Sequence, residues 1–378
     1  MVYFTIIMNK EEDKMQQKKL YAIDLFCGCG GTTCGLEKAN IKVKSAVEIN
    51  PVAVKTYKEN NKGISVITDD IRNVSGEMLR EKSGVTKNDR LLLVACPPCQ
   101  GFSAIRKGGE DDKRNQLVFE FVRLIKELKP DFILMENVAG MSKGKGKAVF
   151  SEALELMERD YECISDVLNS ADYGVPQTRK RLVLHGIRKD LLPIIVEKGL
   201  ELSLPEKTNM DPRKKGNLPK WKTASVILGL PPIEAGDTCN EEGICNHTSN
   251  GMSEINIKRI RYIREHGGDR RCLPESLALP CHKEKSGHTD VYGIMDMEKP
   301  APTITGGCMH YSKGRYGHPN QDRALSAREA ARLQSFDDKY FFYGSNAEVA
   351  LQIGNAVPVE LAKASGKYFE SLFEALNS

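Results

Sequence analysis

The chain reads as an α/β protein, a doubly wound parallel sheet joined to a smaller second unit. Three observations predict this. Short apolar runs alternate with helix-length segments through the first half of the chain. The first run leads into a glycine turn, Cys27-Gly28-Cys29-Gly30-Gly31, and then directly into a helix. Several runs end on residues able to do chemistry, namely Glu48, Asp70, Cys99 and Glu136. Open α/β sheets bind ligands at that carboxyl edge.

Composition narrows the class. At 378 residues the chain suits one large domain plus a smaller one. Its apolar share of 40% and charged share of 28% are those of a globular protein in water. No apolar run is long enough to span a bilayer. Met1 to Met8 lacks the basic start and small-residue cleavage site of a signal peptide. Eleven cysteines, an odd number at irregular spacings, point to reduced thiols and a cytoplasmic protein. Residues 1–19 form a loose polar leader. A net charge of +4 permits a nucleic-acid partner without demanding one.

The elements follow in order. Leu20 to Phe26 is a strand, and a helix runs from about Thr32 to Ala39 after the glycine turn. Lys42 to Val47 is the next strand, and Glu48 ends it 20 residues after Gly28. A carboxylate at that distance is placed to accept both hydroxyls of a ribose, so turn and acid together indicate an adenosine-containing cofactor. Ile64 to Thr68 is a third strand, running into Asp69-Asp70-Ile71. Leu91 to Ala95 is a buried strand that Pro97 and Pro98 stop just before Cys99, and Gly101 lets the chain turn away. Free cysteine is often a small buried hydrophobe. A thiol in a stiff loop at a strand end is instead placed as a nucleophile. A helix from about Asn115 to Leu128 and a strand from Phe132 to Met135 come next, followed by Glu136-Asn137-Val138. This sets an acid beside the thiol on adjacent strand ends. Leu182 to Ile187 forms a strand after Arg179-Lys180-Arg181. Near the end Val357, Leu361, Ala364, Tyr368, Leu372 and Ala375 make one apolar face of a helix, with Pro358 in its first turn.

These blocks resemble the DNA (cytosine-5)-methyltransferase family of bacterial restriction–modification type. Asp24-Leu25-Phe26-Cys27-Gly28-Cys29-Gly30-Gly31 resembles its cofactor loop, and Pro97-Pro98-Cys99-Gln100-Gly101-Phe102-Ser103 its nucleophile loop. Glu136-Asn137-Val138 matches its acid and Gln177-Thr178-Arg179-Lys180-Arg181 its Gln-x-Arg-x-Arg element. Arg328 to Phe336 resembles its late helix, and Gly354-Asn355-Ala356-Val357-Pro358 its closing motif. The blocks stand in the family's order across residues 20–188 and 300–376. Departures are few: Cys27 and Cys29 replace small apolar residues, Asp337 replaces a proline, and Val359 follows Pro358 where a second proline is usual.

The resemblance implies a Rossmann-like, S-adenosylmethionine-dependent methyltransferase domain. Residues 20–188 and 305–378 would form the catalytic part, and 189–304 a target-recognition domain. The donor would lie against Phe26, Gly28, Cys29, Gly31, Glu48, Ile49, Asp70, Ile71, Pro98 and Asn355, leaving S-adenosylhomocysteine as product. Cys99 would add to C6 of a flipped-out cytosine and Glu136 would meet its N3 edge. Arg181 would hold O2, with Arg179 in support. The substrate would be double-stranded DNA, a companion restriction endonuclease the functional partner, and the enzyme a monomer. Phosphate contacts would come from Lys214 to Lys222 and Lys258 to Arg271. An RNA cytosine-5 methyltransferase would use the same nucleophile and acid, a catalytically silent DNA-binding relative is a second rival, and a Rossmann-like oxidoreductase, which leaves Pro97-Pro98-Cys99-Gln100 unexplained and lacks its Gly-x-Gly-x-x-Gly spacing here, is a third. Cys239, Cys245, His247, Cys272, Cys281 and His282 lack the paired spacing of zinc knuckles, so no metal is expected.

Overall fold

The computed structural model describes residues 18–98, 116–144, 146–267, 269–279 and 290–378. β1 (Leu20–Leu25) is buried at all but one position, as a strand covered on both faces must be. The chain then passes through α1 (Gly31–Glu37), β2 (Lys42–Val47), α2 (Pro51–Asn60) and β3 (Ser65–Ile67). Next come α3 (Gly76–Ser83), β4 (Arg90–Ala95), α4 (Leu117–Leu128) and β5 (Phe132–Val138). After α5 (Gly146–Met157) follow β6 (Tyr161–Asn169) and β7 (Lys180–Arg188).

These strands hydrogen-bond in the order β3-β2-β1-β4-β5-β7-β6. The pairs from β3 to β5 are parallel. β7 runs antiparallel to both of its neighbours, so the sheet is mixed and the expectation of a wholly parallel one is corrected. The reason lies in the connection. Residues 170–179 between β6 and β7 contain only a short 3-10 turn, Ser170–Tyr173. A parallel return needs a longer crossover, usually a helix, whereas an antiparallel return does not. Strand order reverses between β1 and β4, which opens the ligand crevice at their carboxyl ends.

Local chemistry sets the helices. Asn50 caps α2, its Oδ1 accepting from the N–H groups of Val52 and Ala53, and Pro51 fills the first helical position. α4 buries Val118, Phe121, Val122, Leu124, Ile125 and Leu128 against one face of the sheet. Residue 115, where the sequence starts this helix, lies outside the described residues. β5 continues three residues beyond the predicted Met135, so Glu136 lies within the strand, paired across to Val183 of β7.

The second half supplies α6 (Leu192–Glu197), β8 (Thr238–Cys239), β9 (His247–Thr248) and α7 (Glu254–His266). α8 (Ala327–Leu333), α9 (Asn346–Asn355) and α10 (Val359–Asn377) follow. β8 and β9 make a separate two-stranded ribbon. Leu191, Ile195, Leu202 and Leu204 join α10 on the far face of the large sheet, although the sequence gives them to the smaller unit. Pro358 caps α10 instead of lying within its first turn. The buried stripe runs through Val359, Leu361, Ala362, Ser365, Gly366, Phe369 and Leu372, so Ala364, Tyr368 and Ala375 stand at its margin. Bare glycines let α10 lie on α1: a Cβ at Gly35 would stand 2.5 Å from that of Ala362. No described helix is long and apolar enough to cross a membrane.

Candidate active site

The first half of the site is built from backbone. Phe26 turns out of β1 with φ +59°, and Gly28 follows at +53°. An aromatic residue in the left-handed region is strained, and such strain collects at binding sites. Nothing lies within 4 Å of where a Gly28 Cβ would stand, so this turn faces open space. Gly31 is different: its missing side chain makes room for the Val357 carbonyl, so it packs the closing segment onto α1.

Glu48 stands opposite the turn. Its carboxylate accepts from the N–H of Gly28 at 2.9 Å and of Asn50 at 2.8 Å. Each oxygen keeps a lone pair for a further donor. Burial lifts its pKa and these backbone donors pull it back. Ile49 beside it is 61% exposed, an apolar side chain left at the crevice without cover. Asp70 caps the short turn Ile71–Asn73 and forms a two-point pair with Arg72, which holds its carboxyl down at about 2. Ile71 is buried in the core behind it. Cys29 is buried, its thiol pushed up to about 12 by desolvation and its Sγ 3.6 Å from the Gln352 carbonyl. Asn355 is exposed at the end of α9. Open space at Gly28, spare acceptors on Glu48 and uncovered Ile49 suit an adenosine-bearing group.

Sequence reasoning missed Asp24 here. It is fully buried at the end of β1, accepting from Thr33 Oγ1 at 2.7 Å, and desolvation pushes its pKa up to about 7. An acid at the foot of a glycine turn, nine residues before a threonine, was the available signal.

The second half is built from charge. Glu136 Oε1 lies 3.0 Å from Nε of Arg181, the two side chains 13% and 14% exposed. No well-aligned hydrogen bond from a described residue reaches that oxygen, so it retains acceptor capacity. Desolvation raises the Glu136 pKa, opposed by the charges of Arg181 and Arg179. Such a carboxyl is easier to protonate than an exposed one. Pro98 ends the described strand exit at half-burial, and the predicted nucleophile Cys99 lies outside the described residues. Its approach is fixed nonetheless, because Asn137 donates to the Pro97 carbonyl at 2.9 Å and so ties β5 to this exit. Cys96, one residue past β4, is a half-buried thiol 3.6 Å from Thr32 Oγ1 with its pKa raised by desolvation.

Arg179 does not pair with Glu136 as Arg181 does. It is 2% exposed, and its guanidinium donates to the carbonyls of Ile304 at 2.6 Å and Gly354 at 2.7 Å. Its charge still acts on Glu136 through space.

The basic clusters are largely paired. Arg213 binds Asp211, Arg271 binds Asp269, and Arg261 and Arg264 share Asp322. Arg259 is buried and donates to the Leu277 carbonyl. Among the described residues no group of three His, Cys, Asp or Glu could hold a metal ion. Cys281 and His282 lie outside the described residues.

Known proteins resemble this chain over nearly its whole length. A type II methylase, M.HgiDII of Herpetosiphon aurantiacus, is 36% identical over 94% of this chain and 96% of its own length. Type II methyltransferase M1.HphI of Haemophilus parahaemolyticus is 35% identical over 90% of this chain and 84% of its own. A solved prophage chain from E. coli, described as a DNA modification methyltransferase, superposes with a TM-score of 0.71 at 26% identity. It covers 94% of this chain and all of its own. The family model for C-5 cytosine-specific DNA methylase matches residues 20–371. The chain belongs to the C-5 cytosine-specific DNA methylase family and is an enzyme of that class.

Proposed function

We propose that this enzyme methylates C5 of a cytosine in a particular double-stranded DNA sequence, with S-adenosylmethionine as donor and Cys99 as nucleophile. The observation that carries the reading is the buried Glu136–Arg181 pair, set beside the strand exit that leads to Cys99. Across the strand-order reversal from it stands the open turn at Gly28 with Glu48.

The chemistry needs these parts. C5 of cytosine is a weak nucleophile until a group adds to C6. Cys99 as thiolate forms the S–C6 bond and pushes electron density toward C5. Glu136, with its pKa raised, donates a proton or hydrogen bond at N3 and stabilises the ring as it gains electrons. Arg181 holds O2 and keeps Glu136 oriented. S-adenosylmethionine supplies an electrophilic methyl group. Loss of the C5 proton to a base then expels the Cys99 sulfur as thiolate and restores the C5–C6 double bond, and any proton held at N3 returns to Glu136. Glu48 receives the ribose hydroxyls, Ile49 and Phe26 offer apolar faces to the adenine, and Asn355 closes the pocket from α9. Asp70 and Pro98 border it, with Gly31, Cys29 and Ile71 packed behind. A paired base cannot reach this crevice, so the cytosine is extruded from the helix.

Residues 189–304 carry sequence recognition in this reading. Several of their arginines are engaged by aspartates, so phosphate contact falls mainly to the lysines between Lys214 and Lys222 and to Lys258. The restriction–modification relatives support a companion endonuclease as functional partner.

The test uses double-stranded DNA carrying 5-fluorocytosine, the purified protein and labelled S-adenosylmethionine. Fluorine cannot leave C5 as a proton does, so a methylated covalent adduct mapped to Cys99 is expected. An adduct with RNA but not with DNA would transfer the reading to RNA. Binding to DNA without any adduct would support a silent binder.

A further inference from the structure

The end of α9 leaves carbonyls that its own helix cannot satisfy. The last four carbonyls of a helix lack helical partners, and Pro358, just beyond, has no N–H to offer. Two remote side chains answer them, and a third, Gln177, holds one of the two. Gln334 donates through Nε2 to the carbonyls of Ile353 at 2.6 Å and Ala356 at 3.1 Å. Arg179 donates to those of Gly354 at 2.7 Å and Ala356 at 3.3 Å. Gln334 Oε1 accepts from Gln177 Nε2 at 2.8 Å, and Gln177 Oε1 in turn accepts from the Ile304 N–H at 2.8 Å. Gln177 and Gln334 are fully buried.

This network has two outlets. Between the held carbonyls of Gly354 and Ala356 lies Asn355, exposed at the cofactor side. Two residues beyond Arg179 lies Arg181, paired with Glu136 at the base side. Only an amide meets the requirement at residue 334. It must donate toward α9 and accept from Gln177 through the same side chain. A carboxylate cannot donate and an apolar chain can do neither.

We propose that Gln334 is a positioning residue that sets Asn355 and Arg181 in one frame, so that the cofactor pocket and the base pocket are aligned through it. This rests on the reading of Asn355 as a cofactor contact and Arg181 as a base contact. Buried polar networks of this kind hold one geometry when every member is satisfied and lose it when one is removed.

The experiment is a double-mutant cycle on the full chain. S-adenosylhomocysteine affinity is measured by calorimetry for wild type, Gln334→Met, Asn355→Ala and the double variant. Single-turnover methyl transfer is measured at saturating S-adenosylmethionine. Each single change is expected to weaken binding about tenfold and the double change by little more than either alone, because Gln334 acts through Asn355. Gln334→Met is also expected to slow turnover at saturation about tenfold, because the loss reaches Arg181 as well as Asn355. Additive binding effects, or wild-type turnover in Gln334→Met, overturn the proposal while the reading of Asn355 stands. Unchanged binding in Asn355→Ala overturns that reading and the proposal with it. Should Gln334→Met fail to fold, Gln177→Met enters the same cycle with the same expectations.

Discussion

The two halves of the site do comparable jobs with opposite materials. At the β1–β2 edge, main chain does the work: a strained turn, an open glycine and N–H groups that aim the Glu48 carboxylate. At the β5–β7 edge the work falls to ionised side chains drawn into the protein, Glu136 against Arg181 with Arg179 behind. A main-chain site is set by neighbours in sequence and tolerates the loss of one contact. A buried ion pair depends on both partners, because removing one strands the other.

That contrast can be broken in order of size. Cys99→Ser should lower methyl transfer by about 10³-fold or more while leaving S-adenosylhomocysteine affinity within about twofold. Appreciable turnover in a radiolabel transfer assay would remove Cys99 from the chemistry. Arg181→Met should cost about 3–5 kcal/mol of stability near pH 8, where Glu136 is left ionised and unpaired. The sign with pH follows from its raised pKa. An acid whose folded pKa exceeds its unfolded one binds more protons when folded, so stability falls as pH rises between the two values. The penalty should therefore shrink at pH 5. Urea unfolding at both pH values checks this, and a difference independent of pH would mean Glu136 is not the stranded group. Glu48→Ala should weaken S-adenosylhomocysteine binding by about 10–100-fold, the scale of lost hydrogen bonds to a charged group. An unchanged dissociation constant by calorimetry would sever the main-chain half from the cofactor. At the small end, Arg271→Ala breaks only an exposed pair with Asp269 and should leave the urea midpoint at the wild-type value. A shift in that midpoint would mark the pair as structural.

The same contrast explains what could be read from the sequence. The glycine turn, Glu48 and the strand before Cys99 were legible because each is a short-range pattern. The cap on α2 was equally local, in Asn50-Pro51, and passed over. The antiparallel run of β7 was not legible, since apolar periodicity carries no direction; only the helix-free link from residue 170 to 179 hinted at it. Arg179 read as a neighbour of Arg181 with a shared task. Its partners Ile304, Gly354 and Ala356 are distant in sequence, and they turn it into a strut. Gln334 stands within the block that resembles the late helix, but its partners Ile353, Ala356 and Gln177 carry no local signal either. Phe369 fell off the predicted stripe of α10 because spacing from Val357 favoured Tyr368, while packing on Phe132 and His185 selects Phe369.

The placement of α10 also bears on the order in which the protein can mature on the ribosome. Leu20, Ala22, Leu92 and Val94 lie beneath Leu361, Phe369 and Leu372 in one cluster. β1 is thus covered by a helix made much later in synthesis. At roughly 5–20 residues per second, tens of seconds separate Ala22 from Phe369. During that interval one face of the nascent sheet has no permanent cover, and the Gly31 turn lacks the Val357 segment it packs against. Chaperone demand should stay high until α10 has emerged, and a chain cut short ahead of α10 should be insoluble instead of partly active.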